Sequence, residues 1–417
     1  MSNHHALWHP FADMGAVAQD HLVLAGGEGA WVWDEDGRRY LDGSAALWYA
    51  NLGHGRPEIA DAVSRQLRTL DAYSTFGDLA NRPALDLAER LSALAPVAGS
   101  KVFLGSGGGD AIDTAAKIAR AFHVEQGAPE RVHLISRTNG YHGTHGIGTG
   151  IAGIPANAER FGTMLPDTSV VAWDDAGALE AEIERVGAGR VAAFFCEPVI
   201  GAGGVLPPPD GYIEAVVEVC RRHGVLFVAD CVISGFGRLG TWMGIDRWPV
   251  EPDLITLAKG ITGGTQPLGA VIVAPHVAAP FFADGAPAFR HGATYAGHPT
   301  TCAAANAALD LYERDSLIER GRTLERPLLD ALTPLADSPL IGEVRGGTGF
   351  LAAAQLADDV LERDPGSVAR WQRAVREEGV LVRALGKGLA ASPPLVTTED
   401  EIAQIGEAML AGLSAID

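Results

Sequence analysis

Lys259 ends a short apolar run, Leu254-Ile-Thr-Leu-Ala, and is followed at once by Gly260-Ile-Thr-Gly-Gly-Thr. A lysine held at a strand end can form an imine with a carbonyl, provided its surroundings favour the neutral amine over the cation that dominates below a pKa of about 10.4. Upstream, the run Val225-Leu-Phe-Val-Ala ends in Asp230 and leads into Ser234-Gly-Phe-Gly-Arg. Alone, such an aspartate is ordinarily a satisfied core carboxylate or a helix cap. An amine at the equivalent place on another strand suggests a shared site. A third feature, Gly105-Ser-Gly-Gly-Gly-Asp, follows Lys101-Val-Phe-Leu and precedes a helical segment from Asp110 to Arg120. Strand, glycine turn and helix N-terminus offer free N–H groups and the positive end of a helix dipole to an anion, although a simple tight turn has the same composition.

These groups need a frame. Seven apolar runs too short for helices occur between residues 100 and 275: Lys101-Val-Phe-Leu, Val132-His-Leu-Ile, Ser169-Val-Val-Ala-Trp, Val191-Ala-Ala-Phe-Phe, Val225-Leu-Phe-Val-Ala, Leu254-Ile-Thr-Leu and Gly269-Ala-Val-Ile-Val. Helix-like segments such as Asp110 to Arg120 and Gly211 to His223 lie between several of them. The alternation predicts an α/β fold with a mostly parallel sheet covered on both faces, in which ligands bind beyond the carboxyl ends of the strands. Around Asp36-Gly37, two strand-like runs between Ala30 and Asp42 predict a hairpin. A long alanine-rich helix is expected from Thr300 to Arg314, and the two chain ends are expected to form a second lobe. A formal G-x-G-x-x-G at Gly148 to Gly153 lacks a strand directly before it, so a dinucleotide reading is set aside.

The formal charge of −20 excludes a general affinity for nucleic acid or an anionic membrane, and no stretch of about 18 apolar residues exists to span a bilayer. The N-terminus lacks the pattern of a secretory signal, which makes the cytoplasm the expected location. Cys196, Cys220, Cys231 and Cys302 are scattered without a Cys-x-x-Cys and read as buried thiols. His4, His5 and His9 read as an exposed leader, and no metal is assigned.

An imine-forming lysine, a carboxylate for a protonated ring nitrogen and a phosphate cradle are the features that pyridoxal 5′-phosphate requires of a protein. The stretch Asp230-Cys-Val-Ile-Ser-Gly-Phe-Gly-Arg-Leu-Gly, with Pro252-Asp-Leu-Ile-Thr-Leu-Ala-Lys-Gly-Ile-Thr-Gly-Gly-Thr-Gln-Pro-Leu-Gly-Ala-Val, resembles the signature of class III aminotransferases, or ω-transaminases, of fold type I. The resemblance continues through Trp48 to Gly55, Tyr141-His-Gly, Glu197-Pro, His291-Gly-Ala-Thr-Tyr-Ala-Gly-His-Pro and Ser392-Pro-Pro-Leu. It implies a large cofactor-binding domain at 60–306 with a seven-stranded sheet, and a smaller α+β domain from 1–59 and 307–417.

The resemblance also implies site roles. Lys259 would be the Schiff-base lysine and Asp230 the partner of the ring nitrogen, with Tyr141 stacked on one ring face and Val232 on the other. Gly108 and Gly109 would hold the phosphate through backbone N–H groups, joined by the hydroxyl of Thr294 from a neighbouring subunit, so a homodimer or tetramer with shared sites is expected. Glu197 would lie near the cofactor, either with a direct role or as a structural buried acid. Arg383 would pair with a substrate carboxylate, unless it is an exposed ion-pair partner, and Trp48 and Phe76 would wall the substrate pocket.

Two departures stand out. Asp230-Cys231-Val232 replaces a common Asp-Glu-Val, and Ser106-Gly-Gly-Gly-Asp-Ala replaces a common Asn-Ser-Gly-Ser-Glu-Ala. A serine hydroxyl missing at Gly109 removes a phosphate hydrogen bond worth about 1.5 to 3 kcal/mol, so weaker cofactor retention is expected. The implied reaction moves an amino group from an amine or ω-amino acid to a keto acid, pyruvate being the expected acceptor. A decarboxylase, aminomutase or racemase of the same fold is the alternative, and a noncatalytic protein that keeps the fold is a more distant one.

Overall fold

A computed structural model describes residues 6–18 and 20–416. All seven expected strands form, and they make one sheet. Its spatial order is Lys101–Gly105, Gly269–Val273, Leu254–Leu257, Leu226–Asp230, Val191–Cys196, His133–Arg137, Thr168–Val171. Only Gly269–Val273 runs antiparallel, to both of its neighbours. The four remaining pairings are parallel. The five central strands are buried along their whole length, as expected of strands covered on both faces.

The glycine turn leads into the helix Gly108–Glu125, and Gly211 leads into the helix Tyr212–His223. The alanine-rich segment forms the helix Pro299–Arg314. The hairpin pairs Trp31–Asp34 with Arg39–Asp42, with Gly37 at φ 80° and the Asp34 carboxylate accepting from the amides of Asp36 and Arg38.

The two chain ends meet in a second, small sheet. Val380 and Leu381 pair in parallel with Leu41 and Asp42. A third sheet, entirely antiparallel, joins Ile341–Arg345, Ala352–Leu356, Gly388–Ala391 and Arg383–Leu385. The helices Ser367–Glu377 and Glu399–Gly412 accompany it, the latter opened by a reciprocal Thr398–Glu401 capping box.

The G-x-G-x-x-G stretch lies around a five-residue helix, Gly146–Gly150, with no strand leading into it. Its glycines serve close packing: a Cβ on Gly148 would fall 2.2 Å from the carbonyl oxygen of His142, and one on Gly153 would fall 1.8 Å from that of Arg137. All four cysteines are free and buried. No helix among the described residues is long and apolar enough to cross a membrane, and none of their His, Cys, Asp and Glu side chains group to hold a metal. His4 and His5 lie outside the described residues.

Candidate active site

The carboxyl ends of four adjacent parallel-sheet strands deliver the polar groups. The strand His133–Arg137 leads to Tyr141 and His142, Val191–Cys196 to Glu197, Leu226–Asp230 ends in Asp230, and Leu254–Leu257 leads to Lys259. These side chains line one cavity of about 480 Å³ together with Gly107, Gly108 and Gly109. A second cavity of about 260 Å³, lined by Trp48 and Arg383, shares Leu47, Tyr141, Ile233 and Lys259 with the first.

Asp230 is held from three sides. Its Oδ2 accepts from Nδ1 of His142 at 2.8 Å, and its Oδ1 accepts from the Thr256 hydroxyl and the Val232 amide, each at 3.1 Å. The register of the two strands sets Thr256 directly beside Asp230. Burial removes the carboxylate from water, and these donors satisfy its oxygens in place of water.

Lys259 opens a short 3-10 turn, Lys259–Thr262, with φ 49°. A lysine in that left-handed region costs on the order of 1–3 kcal/mol, so the surroundings must hold it there. The Tyr312 hydroxyl donates to the Gly260 carbonyl at 2.7 Å. Arg238, fully buried, donates to the carbonyls of Phe350 and Pro393 and to Oδ1 of Asn51, whose own amide donates to the Phe236 carbonyl. Phe236 in turn stacks on Tyr312, with centroids 6.0 Å apart. Tyr312→Phe removes one of two donors to the Gly260 carbonyl, which keeps the Gly263 amide at 2.9 Å, and is expected to lower unfolding stability by about 0.5–1.5 kcal/mol, measured by denaturant titration. An unchanged midpoint would show that the turn does not depend on this bond.

Burial pushes the Lys259 amine below its ordinary range, opposed by Asp230 and Glu197 and assisted by Arg383. The neutral, nucleophilic form is thereby favoured. Glu197 is also buried, which pushes its carboxyl upward against the opposing influence of His142. Both its oxygens accept from backbone amides, of Tyr141 at 2.9 Å and of Gly201 at 3.0 Å. Glu197 therefore fixes the backbone that carries Tyr141.

The family described as aminotransferase class-III matches residues 14–413. The chain belongs to the class III aminotransferases. It is 35% identical over 430 residues to gamma aminobutyrate transaminase 3, chloroplastic, of Solanum lycopersicum, an alignment covering 96% of this chain and 82% of that one. It is 34% identical over 419 residues to the putrescine–pyruvate aminotransferase of Pseudomonas aeruginosa, covering 95% and 91%. Among solved structures, a thermostable (S)-enantioselective omega-transaminase from Thermomicrobium roseum matches with a TM-score of 0.95 at 38% identity, covering 99% of this chain and 96% of that one. An amine transaminase from an uncultivated Pseudomonas species, in its PLP-bound form, matches with a TM-score of 0.94 at 37% identity, covering 99% of each.

The residues of this class III aminotransferase fit pyridoxal 5′-phosphate. The cavity offers a half-buried amine, a buried carboxylate and a turn free of side chains beyond Ser106. A Cβ on Gly108 would stand 2.9 Å from Cγ1 of Val232, so the turn and Val232 leave no room for more than glycine there. Cys231 is buried away from solvent beside Asp230, and burial pushes its thiol well above the ordinary range, which makes it an unreactive neighbour.

Lys259, Asp230, Gly108, Gly109, Tyr141, Val232 and Glu197 all come together in the larger cavity, while Trp48 and Arg383 adjoin it. A single chain does not bring Phe76 or Thr294 to Lys259. Phe76 lines a different cavity, of about 830 Å³, with Thr75, His291 and Gly292, and Thr294 is exposed. His142 and Thr256 were missed by sequence reasoning. The available signals were slight: a histidine next to Tyr141, and one hydroxyl in the run Leu254-Ile-Thr-Leu.

Proposed function

We propose that this aminotransferase transfers an amino group from an amine or ω-amino acid to a keto acid, pyruvate, in two successive half-reactions. The observation that carries the reading is Arg383. Its guanidinium is half-buried on the cavity it shares with Lys259 and Trp48, and it forms no ion pair with a carboxylate among the described residues. An arginine so placed is suited to bidentate binding of a substrate carboxylate. The named activities of the gamma aminobutyrate and putrescine–pyruvate relatives support an amine-to-keto-acid reaction.

When bound, pyridoxal phosphate supplies an aldehyde for amine exchange and a protonated ring that draws electron density from the substrate carbon. Lys259 Nζ would anchor the cofactor and, as a free amine, would move the proton from the amine-bearing carbon as general base. Asp230 would keep the ring nitrogen protonated, and His142 and Thr256 hold Asp230 in place. Tyr141 and Val232 would flank the ring, and the amides of Gly108 and Gly109 would hold the phosphate. Thr294 of a second copy would complete the phosphate seat in a homodimer, Trp48 would wall the substrate space, and Phe76, which lines a different cavity within one chain, would reach that space only from the second copy.

Arg383→Ala is expected to raise KM for the keto acid by about tenfold or more, the loss of a charge-assisted hydrogen bond. The half-reaction with a donor amine that carries no carboxylate should change little. A keto-acid KM that stays the same would remove Arg383 from carboxylate binding. Assays with amine donors against pyruvate and 2-oxoglutarate test the acceptor, and carbon dioxide release without keto acid would identify a decarboxylase instead.

A further inference from the structure

Gly109 and His145 face each other at the phosphate turn. A Cβ built on Gly109 would stand 3.3 Å from Cδ2 and Cγ of His145 and 3.4 Å from its Nδ1. The imidazole thus occupies the side of the turn that a residue with a side chain at 109 would use. The ring lines the same cavity as Ser106, Gly107, Gly108 and Gly109. Neither of its nitrogens takes part in a hydrogen bond with the described residues. The nearby acids are turned elsewhere: Asp110 Oδ2 accepts from the Ser106 amide at 2.7 Å, and Asp113 Oδ1 accepts from the Gly148 amide at 3.2 Å.

We propose that His145 donates a ring N–H to the cofactor phosphate, replacing the side-chain donor that Gly109 lacks, so that positions 109 and 145 are an exchangeable pair. The inference rests on the phosphate seat assigned above. Glycine at 109 makes room for the ring, and the ring restores a donor on the same wall of the cavity. The departure at Gly109 is then a relocation of a phosphate contact rather than its loss.

The test compares binding of pyridoxal phosphate and of pyridoxal, which lacks the phosphate, by absorbance titration of the full-length apoprotein. His145→Ala should weaken pyridoxal phosphate binding by roughly tenfold to a hundredfold, the range for a hydrogen bond to a charged group, and leave pyridoxal binding unchanged. His145→Gln keeps an N–H donor and should recover part of the loss. Gly109→Ser combined with His145→Ala should recover most of it, since the serine hydroxyl then has both the space and the phosphate. Unchanged phosphate-cofactor binding in His145→Ala would overturn the proposal, and so would an equal loss for both ligands, which would make the ring only a wall. A parent protein that binds pyridoxal phosphate no better than pyridoxal would overturn the phosphate seat itself.

Discussion

Lys259→Ala is expected to abolish the visible absorbance of the lysine-bound cofactor and to lower transamination by about four orders of magnitude or more. A positioned general base alone contributes about 10²- to 10⁴-fold, and this amine is also the covalent anchor. The environment prepares it for both tasks: a half-buried amine, pushed toward the neutral form by desolvation, on a turn with φ 49°. The same preparation costs stability, which gives a second readout. Lys259→Met should raise the unfolding midpoint of the apoprotein, because an apolar side chain then fills a site where burial disfavours the ammonium. The sign follows from proton linkage. Where the folded lysine has a depressed pKa, the unfolded chain binds the proton more readily, so stability is lost as pH falls from about 10.4 toward the depressed value. The Met variant should lack that slope. A variant that remains coloured and active would refute the lysine assignment outright.

The second large effect is expected at Asp230. Asp230→Asn keeps the shape and one acceptor oxygen but cannot hold a proton on the ring nitrogen as a carboxylate does. The rate should fall by about 10²- to 10³-fold, as it does where a preorganised electrostatic contact to developing charge is removed. Because Lys259 is intact, the visible absorbance should persist with an altered maximum. Stopped-flow half-reactions separate the two properties. A kcat within about threefold of the parent would show that the ring nitrogen does not depend on this residue.

The frame was readable because its physics is local. Each of the seven strands is a short, nearly continuous apolar run, and the groups for chemistry stand just beyond the strand ends, where a parallel sheet presents them. Lys259, Asp230 and the glycine turn were therefore visible as candidates before any contact was known. The supports of these groups were not visible. His142 reaches Asp230 across 88 positions, Arg238 reaches Asn51 across 187, and Tyr312 reaches Gly260 across 52. Such partners are chosen by tertiary packing, and no periodicity marks them. His145 shows the limit most clearly: the sequence displays a missing serine at 109, but only the fold shows which ring stands in the vacated space.

The closure of the small sheet by both chain ends bears on how the protein is born. Ser392 donates to the Ser44 carbonyl across 348 positions, and Val380 pairs with Leu41. At ribosomal rates of about 5–20 residues per second, the edge strand Arg39–Asp42 waits on the order of tens of seconds for its partner. Leu47 and Tyr49, which line the lysine cavity, wait with it. The nascent N-terminal hairpin must therefore pass through that interval with an open edge, which later pairing with Val380 and Leu381 closes.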